Sequence, residues 1–370
     1  MVKIGTGTLT DGAGRFDRQN CERLAREMAD LSRDRHVVVV SSGAIALGAD
    51  RLGLARSPRK PWDIATKQAA AAVGQPDLMA AWGRAFAAHG RHVAQVLVTA
   101  DDLASRKRFL NARHTFERLG ALGVVPVVNE NDTVAVDEIK VGDNDSLAAL
   151  VATCVGAELV AMLTDVEGLY DRDPRAPGAR LLRDVPRVTA EVERMAGGAG
   201  SERSVGGMVT KLKAARRLAA QGVGTALLSG RGPGALAALL AGQPVGTFFP
   251  PVAERRAGRR EWLSLAARGR GTILVDAGAR KALAERGRSL LPSGVRGVTG
   301  TFGVGDPVDI AVAGEPPFAR GLAGYGADEV RRIAGLKSGE IERALGYKYV
   351  DEVVHRNDMV LTDPGTESAG

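Results

Sequence analysis

Short, wholly apolar runs alternate with amphipathic helical stretches over the first 250 of the 370 residues, and that alternation constrains the fold more than any other feature. Val2–Gly7, His36–Val40, Val93–Val98, Val124–Val128, Leu159–Thr164 and Thr225–Ser229 read as strands. A nearly all-β-branched run such as Val37–Val40 suits a strand buried on both faces. Between the runs, the spacing predicts helices over Arg18–Leu31, Ala65–Ala88 (broken near Gly74-Gln75-Pro76), Ser105–Leu122, Ser146–Val155, Met208–Gln221 and Pro233–Ala241. Strands joined through helices need crossover connections. The expected fold class is α/β, a mainly parallel sheet covered on both faces as a three-layer sandwich.

The pattern changes after Phe248. Pro250-Pro251 and the Arg-rich stretch 254–260 read as a linker. Beyond it come glycine-punctuated strand candidates, Gly271–Val275, Val295–Phe302 and Pro307–Ala313, interrupted by one helix, Ala327–Ala334. The expected division is a first domain over 1–250, a linker over 251–268, a small β-rich barrel domain over 269–361 and a flexible tail over 362–370. The net charge of +7 invites a nucleic-acid reading, but residues 251–370 hold 18 Lys+Arg against 16 Asp+Glu, a balance of only +2. Tight binding to a phosphate backbone needs a stronger excess. Cys21 and Cys154 fall in apolar helical patterns, which points to buried free thiols and a cytoplasmic protein. No apolar run is long enough for a membrane span.

Polar groups collect where the apolar runs end. Val124–Val128 leads into Asn129-Glu130-Asn131-Asp132, and Gly142-Asp143-Asn144-Asp145 then opens an apolar helix. Strand ends beside helix N-termini are where open α/β sheets bind ligands. These carboxylates and carboxamides suit a small zwitterion; the plainer reading is an Asx turn with a helix cap at Asp143 or Asp145. Lys3 lies inside a strand that ends in Gly5-Thr6-Gly7, and a buried ammonium needs a partner. Ser41-Ser42-Gly43-Ala44 follows another strand, with Ser42 either holding an anion or capping a helix. Thr164-Asp165 ends a third strand before a polar turn or hairpin. Gly206-Gly207-Met208-Val209-Thr210-Lys211 reads as a glycine turn entering a helix, with amides and an ammonium facing phosphates. No histidine or cysteine spacing marks a zinc site.

Taken in order, Lys3-Ile4-Gly5-Thr6, Ser41 to Ile45, Asn129 to Asp132, Gly142 to Asp145, Leu163 to Tyr170 and Gly206 to Lys211 resemble the amino-acid kinase superfamily. With Lys107 to Arg113 they resemble its glutamate 5-kinase family. Gly287 to Val295 and Val354 to Asp358 are similar to a PUA domain. The resemblance implies ATP-dependent phosphorylation of the L-glutamate side-chain carboxylate, with Mg2+ accompanying ATP and proline as inhibitor. It implies catalytic roles for Lys3, Lys211 and Asp145. Glutamate would be bound by Ser42, Gly43, Asp132, Asp143 and Asn144. ATP would be bound by Lys3, Thr164, Asp165, Val205, Gly206, Gly207, Met208, Val209, Thr210 and Lys211. No direct protein ligand to metal is assigned. A homo-oligomer, dimer or tetramer, is implied by the family. The pattern departs at Ser204-Val205, where the family usually has Gly-Thr. The alternatives are a sister kinase acting on acetylglutamate or aspartate, and an RNA-binding protein using the PUA-like module.

Overall fold

The computed structural model describes residues 1–54, 62–135, 143–196, 202–252 and 269–362, apart from the side chains of residues 106, 143, 202–206 and 357. The chain divides into two compact units, residues 1–104 with 111–253, and residues 105–110 with 254–370. The expected linker over 251–268 lies almost wholly outside the described residues, as does the expected tail after residue 362.

In chain order, the first part runs β1 (Val2–Ile4), α1 (Thr6–Leu9), α2 (Arg18–Leu31), β2 (Val39–Ser41), α3 (Ala44–Arg51), α4 (Ile64–Ala87), β3 (Val93–Val98), α5 (Ala100–Ala104) and α6 (Arg106–Ala121). It continues with β4 (Val125–Glu130), α7 (Asp143–Cys154), β5 (Leu159–Thr164), α8 (Ala190–Ala196), α9 (Glu202–Ala220), β6 (Gly224–Ser229), α10 (Ala235–Leu240) and β7 (Thr247–Phe249). The seven strands form one sheet in the order β3-β4-β2-β1-β5-β6-β7. Every pairing is parallel except β6 with β7. Alternation along the strands separates two cores. Ala161, Leu163, Ala226 and Leu228 pack with Leu24, Met28, Leu78, Trp82 and Phe86 of α2 and α4. Val160, Met162 and Leu227 pack on the other face with Leu212, Ala215 and Leu218 of α9. Helices on both faces make the expected three layers.

Three expectations are corrected by tertiary packing. The first strand stops at Ile4 rather than Gly7, because Gly5 turns into the short α1, with the Thr8 amide donating to the Gly5 carbonyl at 3.0 Å. The second strand lies at Val39–Ser41, pairing residue for residue with Val2–Ile4. Helix α4 is continuous through Pro76. An interior proline costs ~3 kcal/mol, but Leu78, Trp82 and Phe86 beyond it are fully buried and contribute roughly 1.5–3 kcal/mol each. Glycine lets α4 meet α3 backbone to backbone. A Cβ at Gly48 would stand 1.7 Å from the Ala70 carbonyl oxygen, and one at Gly74 would stand 1.9 Å from that of Ala44.

Of the second unit, residues 269–362 contain β8 (Gly271–Val275), α11 (Ala277–Ala284), β9 (Val295–Gly300), β10 (Pro307–Val312), β11 (Ala319–Leu322), α12 (Ala327–Ile333), α13 (Ile341–Leu345) and β12 (Met359–Leu361). Five strands are ordered β12-β11-β10-β8-β9, antiparallel except for β8 with β10. The sequence reading missed α11, whose start is fixed by Asp276 accepting from the Ala279 amide at 2.7 Å. Its own core gathers Ile273, Val308, Ile310, Tyr325, Val330 and Ile333.

Candidate active site

The sheet turns outward in both directions from β1, whose neighbours are β2 and β5. Such a reversal opens a crevice at the carboxyl ends of the strands. Lys3 lies between Val2 and Ile4, so its side chain leaves the sheet on the opposite face, toward α7 and α9. There its ammonium pairs with Asp145 of α7, and Lys211 of α9 approaches the other carboxylate oxygen at 3.3 Å. The Thr210 hydroxyl donates to that same oxygen at 2.8 Å. All three ionised groups are buried, Asp145 to within 1% of full burial.

Burial alone would push the Asp145 carboxyl up. The charges of Lys3 and Lys211, with hydrogen bonds from Lys3 and Thr210, hold it below the usual carboxylate value. Burial lowers the Lys3 ammonium; Asp145 opposes that effect and Lys211 adds to it. With both lysines charged, the triad carries one net positive charge out of water. It is built to receive an anion.

Beside this charged corner is a neutral one. Asn144, next to Asp145, donates through Nδ2 to Ser42 Oγ at 2.8 Å and to Asn129 Oδ1 at 3.2 Å. Asn129 at the end of β4 donates in turn to Gln75 Oε1 of α4 at 2.9 Å. Trp82 Nε1 donates to Ser41 Oγ at 2.9 Å, and Gln68 Nε2 to the Ala135 carbonyl at 3.2 Å. Gln68, Gln75 and Trp82 recur every seven residues, so one stripe of α4 holds the ends of β2 and β4 and the turn that follows. Gly43 precedes α3 with φ +117°, a conformation that requires glycine, and Ser42 is therefore not the residue that caps the helix. Asp132 lies in the turn after β4, where burial raises its carboxyl to about 6.

A model of the amino acid kinase family matches residues 1–228, and a PUA-domain model matches residues 271–345. Glutamate 5-kinase from Anaeromyxobacter dehalogenans is 76% identical over 99% of this chain and 97% of its own length. The glutamate 5-kinases of Myxococcus xanthus and Syntrophotalea carbinolica are 54% and 49% identical, each over 98% of this chain and 95% and 96% of their own lengths. The chain belongs to the amino acid kinase family, among the glutamate 5-kinases.

In this amino acid kinase, β5 and β6 follow β1 on the side away from β2. Thr164 Oγ1 donates to Asp165 Oδ1 at 3.0 Å, and the Gly230 amide donates to the Thr164 carbonyl at 2.8 Å. Gly7 comes so close that a Cβ there would touch the Asp165 carboxylate at 3.7 Å. The loop after β6 is strapped down. The Gly230 carbonyl accepts from Asn20 at 3.0 Å and Arg23 at 2.6 Å, while Arg231 donates to the carbonyls of Gly7 at 2.6 Å and Thr10 at 2.8 Å.

Gly206 and Gly207 correct an expectation: they lie within α9, which starts at Glu202, instead of forming a turn before it. Lys211 Nζ accordingly reaches back one turn to the Gly207 carbonyl at 3.1 Å. The structure thus joins Lys3, Asp145 and Lys211, and joins Ser42 with Asn144. Thr164 and Asp165 stand together at the end of β5. Met208, Val209 and Thr210 are half-buried along α9. The Asp143 side chain and those of Ser204 and Val205 lie outside the described residues. Sequence reasoning counted Asn129 among the carboxamides suited to a small zwitterion without giving it a contact, and it named Gln75 only within a helix break and at the end of the stretch Ala65–Gln75 that the family resemblance sets near the glutamate pocket. The seven-residue spacing of Gln68, Gln75 and Trp82 was the signal that could have found the stripe.

A cavity of about 990 Å3 opens at the opposite rim, beside the strand starts at Val2, Val38, Val125 and Leu159. It contains neither the lysines nor the carboxamides, so hollow size does not mark the chemistry here.

Proposed function

We infer that this chain transfers the γ-phosphoryl group of ATP to the side-chain carboxylate of L-glutamate, giving L-glutamyl 5-phosphate and ADP, the first step of proline biosynthesis. The observation that carries this reading is the Lys3–Asp145–Lys211 triad beside the Ser42–Asn144 pair at adjoining strand ends, in a chain aligned end to end with glutamate 5-kinases.

A carboxylate is already ionised at neutral pH, so the attack needs no general base. A glutamate carboxylate oxygen forms the new bond to phosphorus, the bridging bond to the β-phosphate breaks, and ADP leaves with that electron pair. Catalysis then rests on in-line positioning and on cations facing the phosphoryl oxygens. Lys3 and Lys211 supply those cations, and Asp145 holds both in place. Thr164, Asp165, the start of α9 and the strapped loop after β6 would seat the nucleotide. Ser42, Gly43, Asp132, Asp143 and Asn144 would hold glutamate, with Asp132 and Asp143 toward its ammonium.

Among the described residues, no group of three or more His, Cys, Asp and Glu side chains is placed to hold a metal. Asp145 is itself engaged by two ammonium groups. Mg2+ would arrive with ATP, as a hard cation that takes oxygen ligands. When bound, the ion would supply further neutralisation of phosphate charge.

The domain division over 1–250, 251–268, 269–361 and 362–370, a homo-oligomeric state, inhibition by proline at the glutamate end, and a cytoplasmic location form part of this proposal. The burial of Cys21 and Cys154 among apolar residues fits that location. Among the described residues, no helix is long and apolar enough to cross a membrane. RNA binding by the C-terminal unit is the second reading, favoured only by the PUA-domain match; filter binding to structured RNA at two salt concentrations tests it.

The deciding assay measures ADP release with ATP, Mg2+ and L-glutamate, trapping the acyl phosphate with hydroxylamine, with and without proline. Glutamate-dependent hydroxamate is the expected result. Turnover of acetylglutamate or aspartate in its place would overturn the substrate.

A further inference from the structure

The carboxamides beside the triad form a chain with a direction. Asn144 Nδ2 has two hydrogens, and Ser42 Oγ and Asn129 Oδ1 take both. Asn129 passes the pattern on by donating to Gln75 Oε1. At the two ends, Asn144 Oδ1 and Gln75 Nε2 are buried with no partner among the described residues. A carboxamide keeps its shape under a half-turn about its last bond, so shape alone does not fix which atom faces which. Neighbours fix it. An oxygen offered by Gln75 makes Asn129 present its amide hydrogens to α4 and its oxygen to Asn144. Asn144 must then spend its amide hydrogens inward and show only a carbonyl oxygen.

We propose that Gln75 sets the direction of this amide chain, so that Asn144 meets the substrate with a hydrogen-bond acceptor and thereby selects a ligand bearing a free ammonium. The proposal rests on the glutamate reading above and adds a specificity-determining positioning residue to it. Gln75 does not itself touch the reacting atoms. It is 9% exposed, lies in the continuous α4, and stands two amides away from Asn144. Glutarate, which is glutamate without its ammonium, is the discriminating probe, since an acceptor oxygen offers it nothing. An unpaired polar group left in the site would penalise it further.

The test compares wild type, Gln75→Met and Gln75→Glu by the KM for L-glutamate, the kcat, and the inhibition constant of glutarate against glutamate. Methionine fills similar space and offers no amide oxygen, whereas glutamate at position 75 keeps an acceptor facing Asn129. For Gln75→Met the glutamate KM should rise roughly tenfold or more. Its kcat and the glutarate constant should stay within about threefold. Gln75→Glu should restore the wild-type preference, with thermal midpoints confirming that both variants fold. Equal weakening of glutamate and glutarate in Gln75→Met would mean a merely structural role and overturn the proposal. So would Gln75→Glu losing discrimination as fully as Gln75→Met, because the chain would then run the other way. Absence of glutamate turnover in the wild-type protein would instead overturn the substrate assignment and the proposal with it.

Discussion

The two corners of the site stand side by side on α7 and work by opposite physics. Around Asp145 three ionisable groups are buried together. One residue away, around Asn144, four side chains are linked by neutral hydrogen bonds. Charge is strong at short range but weakly directional, which suits a phosphoryl group whose charge is spread over several oxygens. Amides are weaker and strictly directional, which suits reading one end of a small zwitterion. A residue lost from the first corner should therefore appear in turnover. One lost from the second should appear in affinity.

The sharpest way to break that contrast is Lys211→Ala. Its kcat should fall by roughly 100-fold or more, as when a single stabilising donor is removed from a transition state, with the glutamate KM within about threefold; steady-state kinetics decide. A large KM effect with kcat intact would merge the two corners into one.

Asp145→Asn comes next. It leaves two buried ammonium groups without their counter-charge, a loss of about 3–5 kcal/mol for a broken buried pair. Thermal unfolding should register it together with a drop in kcat. An unchanged midpoint would show that the triad is solvated.

Ser42→Ala should act on affinity alone. Asn144 Nδ2 then loses one of its two acceptors, and the glutamate KM should rise roughly five- to tenfold at nearly constant kcat.

The smallest effect concerns pH. Burial raises Asp132 to about 6, so as pH falls from 7.5 to 5.5 the carboxylate takes up a proton and glutamate affinity should decline. Asp132→Asn should flatten the KM profile across that window. Stability moves the other way. The folded chain holds this proton at pH values where the unfolded chain has released it, so the Asp132 contribution to stability grows as pH falls through 6. A wild-type KM profile level down to pH 5.5 would remove Asp132 from the ammonium end.

Much of the fold was legible because local signals agreed. Arg18–Leu31 reads as a helix from its apolar spacing, and the structure begins and ends it there, with Asp17 accepting from the Asn20 amide at 2.9 Å. Val93–Val98 and Leu159–Thr164 are likewise matched at both ends. Where the reading went astray, tertiary contacts outweighed a local rule. Pro76 signals a break, yet α4 continues through it to residues buried in the core. Gly206-Gly207 signals a turn, yet both residues continue a helix. Among the candidate residues, Lys3, Ser42, Asn144 and Asp145 could be put forward because each sits in a compact motif beside a strand end or helix start, and Lys211 because of a glycine motif that the structure places inside α9. Gln75 could not. Its spacing with Gln68 and Trp82 marks a stripe along α4, but its partner Asn129 lies 54 positions away, so the spacing alone does not say what the stripe meets.

The close approach of α3 and α4 at Gly48 and Gly74 ties the start of one helix, beside Ser42, to the middle of the other, beside Gln75. A single methyl group at either glycine would act as a wedge. It would prise the helices apart and carry the serine and the glutamine away from each other, stretching the amide chain between them. Damage done at this helix contact would then be felt as poor discrimination before it was felt as unfolding. At these two positions, packing density and substrate choice are one property.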